Sequence, residues 1–435
     1  MADVKFEVTR FTLSTASAGN TQDVTLSGFG TPKAAIFIFS NGQVDGTPAT
    51  DMRAGFGFTD GTRQYAIGLY DKDTLTRTGS SRGQTDDAVI QLVGIDGSSA
   101  TLLTKFGFNQ WITDGVRLDI DVPAIDGRIV TVIFIGGTDV SNAYVNFKDD
   151  LGTWASAVDI TDPGFEPDLV FIAGVGSSAP PTSASAHAIA SFGVAHNDGS
   201  DAQRGVFFSS QNAATTANNT SYISNQSAAA QAYNGSLTWR GTVGAFDSSG
   251  FSITPNSNAR DDIVGYLALK FTNSPDISLF DMEWPTSGNY AETAPGFTPT
   301  FGMIMGVQGP TARNTVTTAG TYSVSVAAFD AASIETHSAT SENSVSTTNA
   351  NSLSSNQLRI LDVAGSADLV LASSYAFDSD GWDFTLSTNP GAAVLGWGLA
   401  IGAGASTTVG APSPLQQLSN QFSTIAASRL NGVLQ

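Results

Sequence analysis

One stretch of this 435-residue chain occurs three times. It reads Gly28-Phe29-Gly30-Thr31-Pro32, then Gly164-Phe165-Glu166-Pro167, then Gly296-Phe297-Thr298-Pro299, each followed by a short apolar run such as Ala34–Phe39 or Leu169–Ala173. The leading glycines stand 136 and then 132 residues apart. Two further markers keep the same period. An aromatic four residues before a glycine, with an alternating run after it, gives Trp111/Gly115, Phe246/Gly250 and Phe377/Gly381. A closing apolar run follows at Ile129–Ile135, Ile263–Leu269 and Val394–Ile401. A fixed period of this kind marks one folding unit, and its length is that of a small domain rather than a solenoid repeat. The expected organisation is three tandem domains, 1–139, 140–273 and 274–405, with a linker and amphipathic tail at 406–435.

The marker residues suit structural work. Glycine admits a positive-φ turn, phenylalanine fills the space beneath it, and proline fixes φ and stops the preceding strand from continuing. Gly28, Phe29, Pro32, Gly164, Phe165, Pro167, Gly296, Phe297 and Pro299 are therefore read as markers of a fold, not of an active site. Period-2 alternation at Phe6–Leu13 and Val116–Ile120, with Asp-Gly turns at Asp60-Gly61 and Asp198-Gly199, predicts short antiparallel strands. Asn41-Gly42 carries a turn signal as well. No long stretch before the tail has helical periodicity. The expectation is an all-β protein of three homologous β-sandwich or jelly-roll-like domains, each with roughly eight to ten strands. Residues 211–231 and 338–356, rich in Ser, Thr, Asn and Ala, are read as long loops.

Charge excludes several functions. The formal net charge is −20, from 39 acidic and 19 basic residues, which repels phosphate backbones and anionic membrane surfaces. The chain has no cysteine, so disulfides and thiolate metal sites are absent. Its first residues lack the basic-then-apolar pattern of a secretory signal, and no apolar run approaches a bilayer span. Leu415, Leu418, Phe422 and Ile425 make a helical stripe in the tail. Three readings are open for that stripe: it folds back on the third domain, docks into a partner, or stays disordered.

No catalytic constellation emerges, and neither a cofactor nor a metal is expected. His187, His196 and His337 are far apart in sequence and are read as surface residues. Asp378 and Asp380, and Asp119, Asp121 and Asp126, lack the spacing of a calcium loop and are read as turn residues. Trp154, Trp239, Trp284 and Trp397 are the candidates for stacking on sugars, with Trp397 and Trp382 assigned to the core and Trp284 to partial exposure.

Gly-Phe-x-Pro before a buried strand, then Phe56-Gly57-Phe58 with Asp60-Gly61, resembles the β-domains of virion proteins from tailed bacteriophages. The resemblance spans residues 4 to 405 and brings no catalytic residues with it. It implies a non-enzymatic virion structural protein made in the host cytoplasm: a capsid decoration, spike or fibre held by contacts with other capsid or tail proteins. The tail at 406–435 would be its anchor. A homo-oligomer and a host-surface glycan or receptor are the other partners considered; the alternative function is a receptor- or glycan-binding tail fibre acting in host attachment through loops 211–231 and 338–356.

Overall fold

Ala34–Ser40, Leu169–Gly174 and Val394–Gly402 are buried along their whole length. Such strands need cover on both faces of their sheet. The computed structural model describes residues 3–96, 99–151, 156–176, 183–200, 202–216, 218–233, 236–256, 262–318, 322–342, 347–362, 367–392 and 394–404. In it the cover comes from two directions, and side-chain parity shows how. Ala35, Phe37 and Phe39 join a core with Val116, Leu118 and Phe106. Their neighbours Ala34, Ile36 and Ile38 join a second core, shared with Leu169, Phe171, Met303 and Met305 from far along the chain. One face of each large sheet is thus closed by a small sheet, the other by the rest of the molecule.

The described residues form strands and no α-helix, in three seven-stranded and three four-stranded sheets. The first large sheet runs Lys5–Thr12, Ile129–Gly136, Ala34–Ser40, Met52–Thr59, Gln64–Asp71, Ser80–Thr85. Its small partner runs Thr21–Thr25, Gly115–Val122, Ser99–Ile112, Ile90–Asp96. Residues 140–271 and 277–402 repeat both orders. We call the three sheet pairs units. Each is an antiparallel β-sandwich. In each unit the middle strands run as meanders, in the first Ala34–Ser40 to Ser80–Thr85 in the large sheet and Ile90–Asp96 to Gly115–Val122 in the small one, while the two opening strands and the closing strand pass from one sheet to the other.

The seventh strand of each large sheet is foreign. Ser183–Ala186 of the second unit pairs with Ser80–Thr85 of the first. Thr317–Thr318 of the third pairs with Asn219–Ser224 of the second, and Ala49–Thr50 of the first pairs with Ala350–Ser355 of the third. Every unit gives one arm and receives one, so the chain closes a ring about a pseudo-threefold axis. An exposed strand edge invites aggregation; here one edge of each large sheet is covered by a strand from a neighbouring unit.

Two sequence expectations are overturned at this level. Asn41-Gly42 is not a hairpin turn but the root of an arm. The Asn41 side chain donates to Thr50 O at 2.7 Å and accepts from Arg128 Nε at 2.7 Å. Residues 211–231 and 338–356 are not long loops either. They hold Asn219–Ser224, Ala229–Tyr233 and Ala350–Ser355 together with the end of Ile334–Ser341. Their low apolar content misled because small hydroxyl residues pack against one another near the axis.

Candidate functional site

By strand register, Asp71, Ser210 and Ser341 are the same position in the three units. Each ends a strand of its large sheet, and all three converge on the axis. Asp71 accepts from Ser341 Oγ at 2.7 Å and from Ser80 Oγ at 2.9 Å, while Ser80 Oγ lies 3.2 Å from Ser210 Oγ. Asn219 Nδ2 donates to Ser341 O at 3.0 Å. Burial pushes the Asp71 carboxyl up to about 6, against the lowering effect of the three serine hydroxyls.

The seams between units use equivalent strands with different side chains. Asp60 of the first unit accepts the Val145 N–H of the second at 2.9 Å; Asp330 of the third accepts the Val8 N–H of the first at 2.7 Å. Where the second unit meets the first, Gly265 faces Tyr65, and a Cβ there would lie 2.0 Å from the ring. Where the first meets the third, His337 is held by Thr131 Oγ1 at 2.9 Å and by Ser40 and Ser354 Oγ at 3.1 Å. Burial pulls its imidazole down to about 3, so it is neutral at physiological pH. Beside it Glu335 is pushed up to about 7 by burial, opposed by Arg10 at 3.5 Å. Where the third meets the second, Arg204 pairs with Asp281 at 2.7 Å. Phe56 and Phe192 stack at 4.1 Å across one seam, and Trp397 lies parallel to Phe192 at 6.3 Å across another.

The markers found in the sequence lie away from the axis. Gly28, Gly164 and Gly296 have φ of +84°, +70° and +71°. Pro32, Pro167 and Pro299 are buried, as is Phe29, while Phe165 and Phe297 are half-buried over their cores. The first and second markers touch. Gly30 N–H donates to Asp114 Oδ1 at 2.8 Å, Gly164 N–H to Ser249 O at 2.9 Å and Gly296 N–H to Asp380 O at 2.8 Å. Gly115, Gly250 and Gly381 press on backbone, where a Cβ would fall 1.8–2.0 Å from a carbonyl oxygen of the adjacent strand.

Other expectations change. His337 is buried at a seam rather than at the surface; His187 and His196 are half-buried. Trp239 and Trp284 are buried at 2% and 1% exposure, so neither offers a face to a ligand, and Trp382 and Trp397 are buried too. Trp154 lies outside the described residues, as do Leu415, Leu418, Phe422 and Ile425. Asp378 Oδ1 accepts the Gly381 N–H at 2.7 Å, as a turn residue does. Among the described residues no three His, Asp or Glu side chains are grouped to hold a metal ion, and no helix is long and apolar enough to cross a membrane. Nothing in the sequence marks the axial cluster, because Asp71, Ser210 and Ser341 differ in type and share only their register.

One open cleft, of about 350 Å³, lies between the sheets of the third unit, lined in part by Ile334, Gln357, Ala372 and Tyr375. Another, of about 340 Å³, opens at the first–third seam beside Lys5, Glu7 and Asp330.

No protein-family model matches the chain, and no curated protein matches it. Among solved structures, a beta-fructofuranosidase from Schwanniomyces occidentalis complexed with fructosyl-erythritol aligns over 91% of this chain and 97% of its own, at 7% identity and a TM-score of 0.11. That likeness carries no argument about fold or activity.

Proposed function

We propose that the protein is a non-enzymatic structural component of a tailed-bacteriophage virion, a decoration or spike assembled through protein–protein contacts. The observation that carries this reading is the closed exchange of arms among three sandwiches, which we take to be tandem homologous domains. The chemically capable groups are spent on that closure: Asp71, Glu335 and His337 are buried at the axis or a seam. A chain presenting three related faces about one axis is suited to a threefold position in a particle, where each face meets an equivalent neighbour. The net charge of −20 keeps such a part off nucleic acid and favours its solubility until assembly. We assign the tail stripe Leu415, Leu418, Phe422 and Ile425 to anchoring.

The test is the location of the protein. Purified particles should contain it, and their density should show a triangular feature on a threefold or quasi-threefold position. Deleting residues 406–435 should release it from particles without unfolding it. Its absence from particles by mass spectrometry would refute the reading.

A further inference from the structure

We infer that the cleft between the sheets of the third unit is a binding site for a neutral saccharide. Its existence follows from how this unit departs from the other two. Counted by register, Gln64, Gln203 and Ile334 share one position, and Phe108, Val243 and Ala372 another. In the first unit Gln64 Oε1 accepts the Phe108 N–H at 2.6 Å. In the second, Gln203 grips Val243 twice, accepting its N–H at 2.9 Å and donating to its carbonyl at 3.0 Å. A glutamine thus clamps large sheet to small sheet in both. The third unit has Ile334 instead, which has no amide to offer, and Ala372 where the first unit has a phenyl ring. The equivalent strand pair shifts register twice in the first unit as well, but in the third the shifts fall at the cleft itself, between Leu371 and Ala372 and between Ala372 and Ser374. Bulges of this kind re-aim side chains and gather at binding sites.

The opening has an apolar floor and an uncharged rim. Ile334, Ala372 and Phe384 are buried beneath it. Asn356, Gln357, Ser373 and Ser374 are exposed around it. Tyr375 stands at one side with its hydroxyl donating to Asp330 O at 2.7 Å and its ring against Phe329 at 5.6 Å, so the ring is fixed before any ligand arrives. The Asn356 backbone is tied to the first unit's arm through Asp45 Oδ1 at 2.9 Å. The carboxamide of Gln357 is free for a ligand in a way its counterparts are not. At that position the first unit has Asp87, bound by Lys105 at 2.6 Å, and the second has Gln226, 3.4 Å from Arg240.

An aromatic ring, two carboxamides and two hydroxyls, with no ionised group among the lining residues, match a ligand that has apolar C–H faces and many neutral hydroxyls. The volume of about 350 Å³ falls within the range of small-molecule sites. The chain's net charge of −20 weighs against acidic sugars. This inference stands independently of any place in a particle.

The test is titration of the full-length protein, followed by calorimetry and ligand-observed NMR, with glucose, galactose, N-acetylglucosamine, maltose, lactose and chitobiose, and with glucuronic acid as the anionic control. At least one neutral probe should bind with a Kd on the order of 1 mM or tighter. Ala372→Phe, which places the first unit's ring on the floor, should weaken it about tenfold or more, and the exposed Gln357→Ala should weaken it about threefold or more. Both variants should melt within about 2 °C of the wild type. If Ala372→Phe fails to fold, Gln357→Ala decides. No binding by any neutral probe at about 50 mM, binding that the folded variants leave unchanged, or equal binding of glucuronic acid would overturn the inference.

Discussion

Asp71 and His337 set opposite pH dependences on the same fold. The Asp71 carboxyl is raised from 3.8 to about 6, so between those values the folded protein keeps a proton that the unfolded chain has lost. Stability from this group is full below about pH 4 and falls as pH rises through 6. Asp71→Asn removes that penalty: the variant should be more stable than the wild type at pH 7 by about 2–3 kcal/mol, with the gap closing toward pH 4, as read by urea midpoints. His337 is lowered from 6.5 to about 3, so the unfolded chain takes up a proton first as pH falls. Stability is lost from pH 6.5 downward, and His337→Gln should flatten that arm of the profile by about 3–5 kcal/mol between pH 6.5 and 3. Neither role was legible in the sequence, since nothing local marks burial for Asp71, between Tyr70 and Lys72, or for His337, in a Ser- and Thr-rich stretch. The marker glycines at 28, 164 and 296 were legible, because a positive-φ turn restricts residue type wherever it recurs.

At the scale of elements, the strands could be read and the arms could not. Apolar runs such as Ile129–Gly136 announce a buried strand through their own composition. Ala49–Thr50 and Thr317–Thr318 are two residues long and owe their strand form to a partner far along the chain, which local pattern cannot reveal. Beyond the backbone pairing, side chains on the receiving unit hold an arm. Arg82 donates to the carbonyls of Ala186 and His187, at 2.6 and 3.3 Å, and of Gly176 at 3.1 Å, all on the second unit's arm. Arg82→Ala strands those acceptors at a seam and should cost about 2–4 kcal/mol. Hydrogen exchange should accelerate at 183–187 ahead of the rest of the molecule. Arg117→Ala, which breaks only an exposed pair with Asp23, should leave exchange there unaltered.

For the whole molecule, the all-β class was legible in the alternating and apolar runs, but the period said nothing of the ring. The central core draws on every unit, with Phe56, Phe192 and Trp397 in one cluster, so the units should not behave as beads on a string. Thermal unfolding should be a single transition with calorimetric and van't Hoff enthalpies in agreement; three separate transitions would contradict this. Residues 1–139 alone should fail to make a stable homotrimer, because Tyr65 would then face Thr131 where the intact chain supplies Gly265. Size-exclusion chromatography with light scattering reads the outcome. The exchange of arms also constrains how the polypeptide is made. Ala49–Thr50 has no partner until residue 355 has left the ribosome, so the earliest-made segment must wait, with its axis-facing surface bare, for nearly the last. Slowed translation late in the message, or loss of chaperones that shield nascent chains, should therefore lower the yield of this protein more than that of one whose domains close in turn.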